Sequence, residues 1–262
     1  MTPIYAIGDI HGQNALLHHA LSLIAADGGA EARIVFLGDY TDRGPDSRGV
    51  IETLIAGRDA GRDWVFLRGN HDRMFCNFVR YGVEHDARVS SGISWLNRRL
   101  GGEVTLASYG LKGVMHFRQD ARSALEYMDY FEGNAGWIDT NALQQLALRA
   151  VPQAHLDFLE ALPLWHQTND LLFVHAGLRP GIPLEDQVED DLIWIRDPFL
   201  KSNADFGRLV VHGHTALDHP RHHGNRVNLD GGAGYGNPLI PAVFEGRDCW
   251  LLTENGRVPL VA

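Results

Sequence analysis

Only two cysteines, Cys76 and Cys249, occur in 262 residues. They form no CxxC pair, which excludes both a disulfide framework and a thiolate metal site. No window approaches the roughly 18 consecutive apolar residues that a membrane-spanning helix needs. The opening stretch MTPIYAIGDIHG has no basic region ahead of an apolar run. Neither a signal peptide nor a membrane partner is therefore expected, and the expected location is cytoplasmic. Basic residues are also in short supply, with 23 Lys+Arg against 33 Asp+Glu and a formal net charge of −10. That balance argues against a general binder of nucleic acid or anionic membrane. An acidic protein that handles phosphate must supply positive charge locally, from arginine, helix N-termini or metal. There is no internal repeat and no low-complexity tract, DHPRHHGN at 218–225 being the nearest approach to a biased segment. A content of 45% hydrophobic and 21% charged residues suits a globular chain able to bury a core.

What is present repeats one grammar: a short apolar run, a Gly-rich polar turn, then helical spacing. Ile4–Ile7 leads into GDIHG and a helix over Asn14–Ala26. Ile34–Leu37 leads into GDYTDRGPDS and a helix over Arg48–Ala60. Trp64–Leu67 leads into RGNHD and the apolar segment Met74–Val79. Such alternation predicts an α/β fold with a largely parallel sheet. Ligands of these sheets sit beyond the carboxyl ends of the strands, so the three turns should converge on one crevice. The middle of the chain, about 81–162, reads differently. SSGISWLNRRLGGEVTLASYG reads as loop and short helix, and Ser123–Tyr130, Thr140–Ala150 and Pro152–Leu162 have helical periodicity. This region is expected to be a mainly helical insertion within a single domain spanning 1–262. Strands return at Leu171–Val174, ending in HAG, and at Leu209–Val211, ending in HGHT. Val227–Leu229, Ala242–Phe244 and Trp250–Thr253 complete the set.

The polar residues at these strand ends are Asp9, His11, Asp39, Asp42, Arg43, Asn70, His71, Asp72, His175, Arg196 and His214. Carboxylate, imidazole and amide oxygen together suit manganese, iron or zinc ions. A pair of divalent ions with Arg43 and Arg196 would outweigh the carboxylates Asp9 and Asp39. The result is a positive pocket in an acidic protein, built for an anion such as a phosphate dianion. Two such ions can acidify a shared water into a nucleophile. His71 beside the carboxylate of Asp42 has the makings of an oriented general acid.

GDIHG, GDYTDRG, GNHD, HAG and GHT, in this order between residues 8 and 215, resemble the phosphoprotein phosphatase branch of the calcineurin-like metallophosphoesterases. LIWIRDPF is similar to the segment that carries a phosphate-binding arginine in bacterial members. The resemblance implies a β-sandwich flanked by helices, a four-layer α/β/β/α arrangement. It implies two divalent metal ions, with Mn²⁺ first and Fe or Zn as alternatives. Asp9 and His11 would bind one ion, Asp39 would bridge, and Asn70, His175 and His214 would bind the other. Asp42 would orient His71, which protonates the leaving oxygen. Arg43 and Arg196, with Asn70, would hold phosphate oxygens while a metal-bridging hydroxide attacks phosphorus. The implied activity is that of a phosphomonoesterase acting on phosphoserine or phosphothreonine in proteins, and on small phosphomonoesters.

Several positions depart from the pattern. Asp72 stands where eukaryotic members have Glu, and HAG replaces the commoner HGG at Ala176. Ala216 occupies the place of the second histidine in the GHxH of nuclease relatives, which favours monoesters. About 100 residues separate His71 from His175, so the insertion is expected to shape the substrate mouth. His212 reads as a packed strand-end histidine, His219, His222 and His223 as a solvated loop, and Cys76 as a packed thiol. Asp230 and Tyr235, in DGGAGYG, read first as turn residues, with a contact at the site as the alternative. Trp194 reads as core or pocket wall. Two other functions are open: a nucleotide hydrolase resembling the diadenosine tetraphosphatases, and a non-catalytic scaffold that keeps the fold. Retention of Asp42, His71 and both arginines speaks against the scaffold.

Overall fold

The computed structural model describes residues 2–117, 124–129 and 136–262. Its first sheet takes the order β14-β13-β12-β1-β2-β3 and its second β10-β11-β9-β8-β7. In the first are β1 (Ile4–Ile7), β2 (Arg33–Phe36), β3 (Trp64–Phe66), β12 (Ala242–Glu245), β13 (Asp248–Thr253) and β14 (Gly256–Pro259). In the second are β7 (Trp165–Gln167), β8 (Leu171–Val174), β9 (Leu209–His212), β10 (Arg221–His222) and β11 (Arg226–Asn228).

Period-2 alternation explains how the two sheets stack. Ala6, Val35, Phe173, Val211, Val227 and Phe244 form one buried cluster between the sheets. Phe173 meets Phe244 there edge to face, with ring centroids 6.3 Å apart. Their strand neighbours point the other way. Tyr5, Ile7, Ile34 and Phe36 pack under α1 (Asn14–Gly28), α2 (Ser47–Asp59) and α3 (Asn70–Tyr81). Leu172, Val174 and Val210 pack against Leu192, Ile193 and Phe199, from α7 (Glu189–Trp194) and the turn after it. Helix, sheet, sheet and helix therefore lie in four layers, as expected.

Local signals set the helix ends. Asp46 caps α2 by accepting the Gly49 N–H at 2.8 Å, and Asp139 caps α5 (Thr140–Ala150) by accepting the Ala142 N–H at 2.8 Å. Gly82, with φ of 68°, closes α3 in the left-handed conformation that glycine takes without strain.

Two expectations are corrected. The sheets are mixed, not largely parallel. β1-β2, β2-β3, β8-β9 and β9-β11 are parallel, but β1-β12, β12-β13, β13-β14, β7-β8 and β10-β11 are antiparallel. Tight links such as Gly246-Arg247 can join only antiparallel neighbours. The second correction falls in the stretch of residues 81–162. It contains α4 (Gly102–Ser108), α5 and α6 (Gln153–Glu160), but also a three-stranded antiparallel sheet. That sheet comprises β4 (Gly113–Phe117), β5 (Ala124–Asp129) and β6 (Gly136–Ile138). A helix was expected over Ser123–Tyr130, whose two end residues lie outside the described residues. β5 instead pairs with both neighbours, Met115 opposite Tyr127 and Met128 opposite Trp137. A short apolar run fits either period, and pairing on both edges decides for the strand.

Candidate active site

The turns after β1, β2 and β3 meet the turns after β8 and β9 at one end of the sandwich. Among the described residues, the non-glycine positions with left-handed backbone are His11, Asp39, Asp42, Arg43 and His214, with φ between 48° and 74°. All five belong to the expected site, and such strain persists only where the surroundings over-determine it. The turns are also pressed together. A Cβ at Gly69 would lie 2.1 Å from Asp39 Oδ1, so only glycine allows the third turn to reach the second. Asp72, at the start of α3, then ties them. It accepts the N–H groups of Asp39, Tyr40 and Gly69 at 2.9, 2.9 and 3.0 Å.

Among the described residues, two groups of side chains could each hold a metal ion: His11, Asp39 and His71, and Asp39, His175 and His214. Asp39 belongs to both. Asp9 adjoins the first group, with Oδ2 4.0 Å from His11 Nε2. Its two oxygens accept the His214 N–H at 3.0 Å each. His11 Nδ1 lies 2.8 Å from Thr41 O, and His175 Nδ1 lies 2.9 Å from Leu37 O. A carbonyl only accepts, so each Nδ1 carries the proton and each Nε2 offers a lone pair. His175 Nε2 faces Asn70 Oδ1 at 3.0 Å and Asp39 Oδ1 at 3.5 Å. Lone pairs brought together this closely call for a cation between them. His214 Nε2 is buried without a partner.

The electrostatics agree with a cation site. Burial, then the charges of Asp230 and Asp39, push the Asp9 carboxyl well above its usual range. Burial likewise raises Asp39. Burial lowers the imidazoles of His11 and His214 well below their usual value, and His175 to about 4. Neutral imidazoles beside crowded carboxylates form a donor set suited to hard or borderline divalent ions.

His71 and Asp42 form a buried pair, with Nδ1 2.5 Å from Oδ2. Burial pushes Asp42 up to about 7 and His71 down to about 3. Arg43 reaches His71 Nε2 with Nη2 at 3.0 Å and touches His11 Nε2 with Nη1. Its guanidinium lies over the Tyr235 ring, 4.8 Å from the centroid. A cavity of about 150 Å³ opens here, lined by Asp39, Arg43, Asn70, His71, Arg88, Ser90, Trp194, Arg196 and His214 among others.

All of the expected site residues are therefore gathered in one place. Arg196 is exposed at the cavity wall. Tyr235 supports Arg43, and Asp230 does two things at once. It is buried beside Asp9 and accepts the Gly232 N–H at 3.0 Å. His212 is buried edge-on to Phe199, at 5.1 Å between centroids, and belongs to neither metal group. His222 and His223 stand apart too, His222 Nδ1 accepting the Gly224 N–H. Cys76 is buried, and burial raises its thiol pKa.

Sequence reasoning missed three contributors. Trp95 Nε1 and Thr105 Oγ1 donate to Asp42 at 2.8 and 2.7 Å. Arg88 brings a third guanidinium to the cavity. All three lie between residues 81 and 162, in a stretch with no motif to mark them.

A family profile described as calcineurin-like phosphoesterase matches residues 2–240. The chain belongs to this family. Over most of both chains it is similar to the asymmetrical bis(5'-nucleosyl)-tetraphosphatase PrpE of Bacillus mycoides. The two are 24% identical over 260 residues, covering 89% of this chain and 87% of that protein. A shorter stretch resembles the serine/threonine-protein phosphatase 4 catalytic subunit of Kluyveromyces lactis, 44% identical over 73 residues. That match covers 27% of this chain and 23% of the other protein. In fold, the family member resembles the cold-active protein-tyrosine phosphatase of a psychrophilic Shewanella, with a TM-score of 0.58 and 15% identity. This likeness covers all of this chain and 81% of the other. No helix among the described residues of this calcineurin-like phosphoesterase is long and apolar enough to cross a membrane.

Proposed function

We propose that the chain hydrolyses phosphate monoesters, with phosphoserine or phosphothreonine of proteins as its substrate class. The observation that carries this reading is the His71–Asp42 pair opening onto the same small cavity as Arg43, Arg196 and the two groups that share Asp39. Asp9, His11 and Asp39 would hold one divalent ion, and Asp39, Asn70, His175 and His214 the other, with manganese the first choice. Bound there, the ions would acidify a water and screen the phosphate oxygens. Arg43 and Arg196, aided by Asn70, hold the non-bridging oxygens so that water meets phosphorus opposite the leaving group. The P–O bond to the leaving group then breaks, and His71 Nε2 gives its proton to the departing oxygen. Asp42 at Nδ1 balances the imidazolium beforehand and keeps the ring aimed at the cavity.

A second reading, hydrolysis of dinucleoside polyphosphates, is favoured by one observation. Arg88 is a third guanidinium where a single phosphoryl group is met by two. The experiment is a manganese-loaded assay of the full chain on a phosphoserine peptide, p-nitrophenyl phosphate and diadenosine tetraphosphate. Turnover of the first two ahead of the third is expected. Preference for the tetraphosphate would move the assignment to the second reading, and inertness toward all three would overturn both.

A further inference from the structure

We propose that Trp95 and Thr105, contributed by the insertion, are positioning residues for proton donation by His71. The inference rests on the general-acid role proposed above and deepens it. Asp42 Oδ2 accepts from His71 Nδ1 at 2.5 Å and also from Trp95 Nε1–H at 2.8 Å. Asp42 Oδ1 accepts the Thr105 hydroxyl at 2.7 Å, and Thr105 Oγ1 accepts the Asp42 N–H at 2.8 Å. The carboxylate is thus held at both oxygens, and the amide of its own residue is held as well. These contacts hold Oδ2 against the imidazole. Three groups converge on the Asp42 oxygens, which fixes the carboxyl against Nδ1 and leaves Nε2 turned to the cavity.

The insertion is built to deliver these two groups. The Trp95 ring lies between Phe78 and Phe75, at 5.0 and 5.9 Å between centroids. A Cβ at Gly102 would lie 2.5 Å from the indole, so the backbone itself closes the slot. Trp95 N–H donates to Glu84 O at 2.7 Å, and the Gly102 N–H donates to Trp95 O at 3.1 Å. A Cβ at Gly101 would lie 2.2 Å from Arg43 N, which sets this loop directly against the turn that carries Asp42 and Arg43. The donors Trp95 and Thr105 and the acceptor Asp42 are all buried, at 1%, 0% and 0% exposure, so bulk water is kept from both hydrogen bonds. The insertion therefore completes the dyad as well as flanking the mouth.

Positioning and mere packing predict different kinetics. A leaving group such as 2,4-dinitrophenolate departs without a proton, whereas an alkoxide needs one. In the metal-loaded full chain, Trp95→Phe and Thr105→Val should each lower kcat on an alkyl phosphate about tenfold, by loss of one charge-assisted hydrogen bond. On 2,4-dinitrophenyl phosphate they should change kcat by less than about twofold, with KM unmoved on both esters. Thr105→Ser, which keeps the hydroxyl, should retain turnover of the alkyl ester. Equal losses on the two esters at normal metal content, or no loss on either, would overturn the proposal. Should Trp95→Phe fail to fold, the contrast between Thr105→Val and Thr105→Ser decides. His71→Asn separates the two levels of inference. If it shows no leaving-group split, the acid role itself fails; if it does while the Trp95 and Thr105 variants do not, only the positioning role fails.

Discussion

Asp72 holds Asp39 from behind, its Oδ2 accepting the Asp39 N–H at 2.9 Å while its other oxygen takes the Tyr40 N–H. It is fully buried and spans the gap between the turns after β2 and β3. Asp72→Ala would strand three buried N–H donors, those of Asp39, Tyr40 and Gly69. A loss of about 3 kcal/mol in unfolding free energy is expected. Urea denaturation of the metal-free chain measures it, and a change below about 1 kcal/mol would contradict the bridging role.

Asp39 is common to both metal-capable groups. Asp39→Asn should therefore reduce bound manganese at both positions together, and activity with it, as elemental analysis alongside turnover would show. A variant that retains two ions and full activity would remove Asp39 from the bridge.

His71→Asn tests the acid separately from the metals. Turnover of alkyl phosphates should fall by about 10²–10⁴-fold. Metal content should stay near normal, because Asp9, His11 and Asp39 would still hold one ion and Asp39, Asn70, His175 and His214 the other, neither set needing His71. Unchanged turnover would refute the role.

Tyr235 gives a milder prediction. Its ring supports the Arg43 guanidinium at 4.8 Å from an otherwise exposed position. A cation–π contact of about 0.5–1 kcal/mol implies that Tyr235→Ala raises KM for a phosphate ester about two- to fivefold, with kcat little changed. Arg43→Ala should go further and weaken inhibition by inorganic phosphate. If steady-state kinetics find phosphate binding untouched by either change, Arg43 does not hold the substrate.

The motifs carried most of this site because a strand end fixes where its next few residues go. Asp9 and His11 lie two positions apart and Asn70 and His71 are consecutive, so a short string records their geometry. Five of the expected strands lie in the first sheet's parallel core or its hairpins for the same local reason. Trp95 and Thr105 are different. They reach Asp42 across 53 and 63 residues, and neither sits in a string that distinguishes it from other buried aromatics and hydroxyls. Arg88 was hidden likewise, since its meaning depends on which cavity the loop overhangs. The strand β5 was misread because its side-chain spacing is ambiguous until β4 and β6 supply partners. Longer helices needed no such help, and α5 occupies the same residues, Thr140–Ala150, that its periodicity marks.

The five residues with left-handed backbone, His11, Asp39, Asp42, Arg43 and His214, each sit where folding energetics alone would choose glycine or asparagine. Chemistry and durability therefore pull in opposite directions at these positions. A redesign scored only on thermal endurance would rewrite them first, yielding a hardier protein stripped of the proposed site.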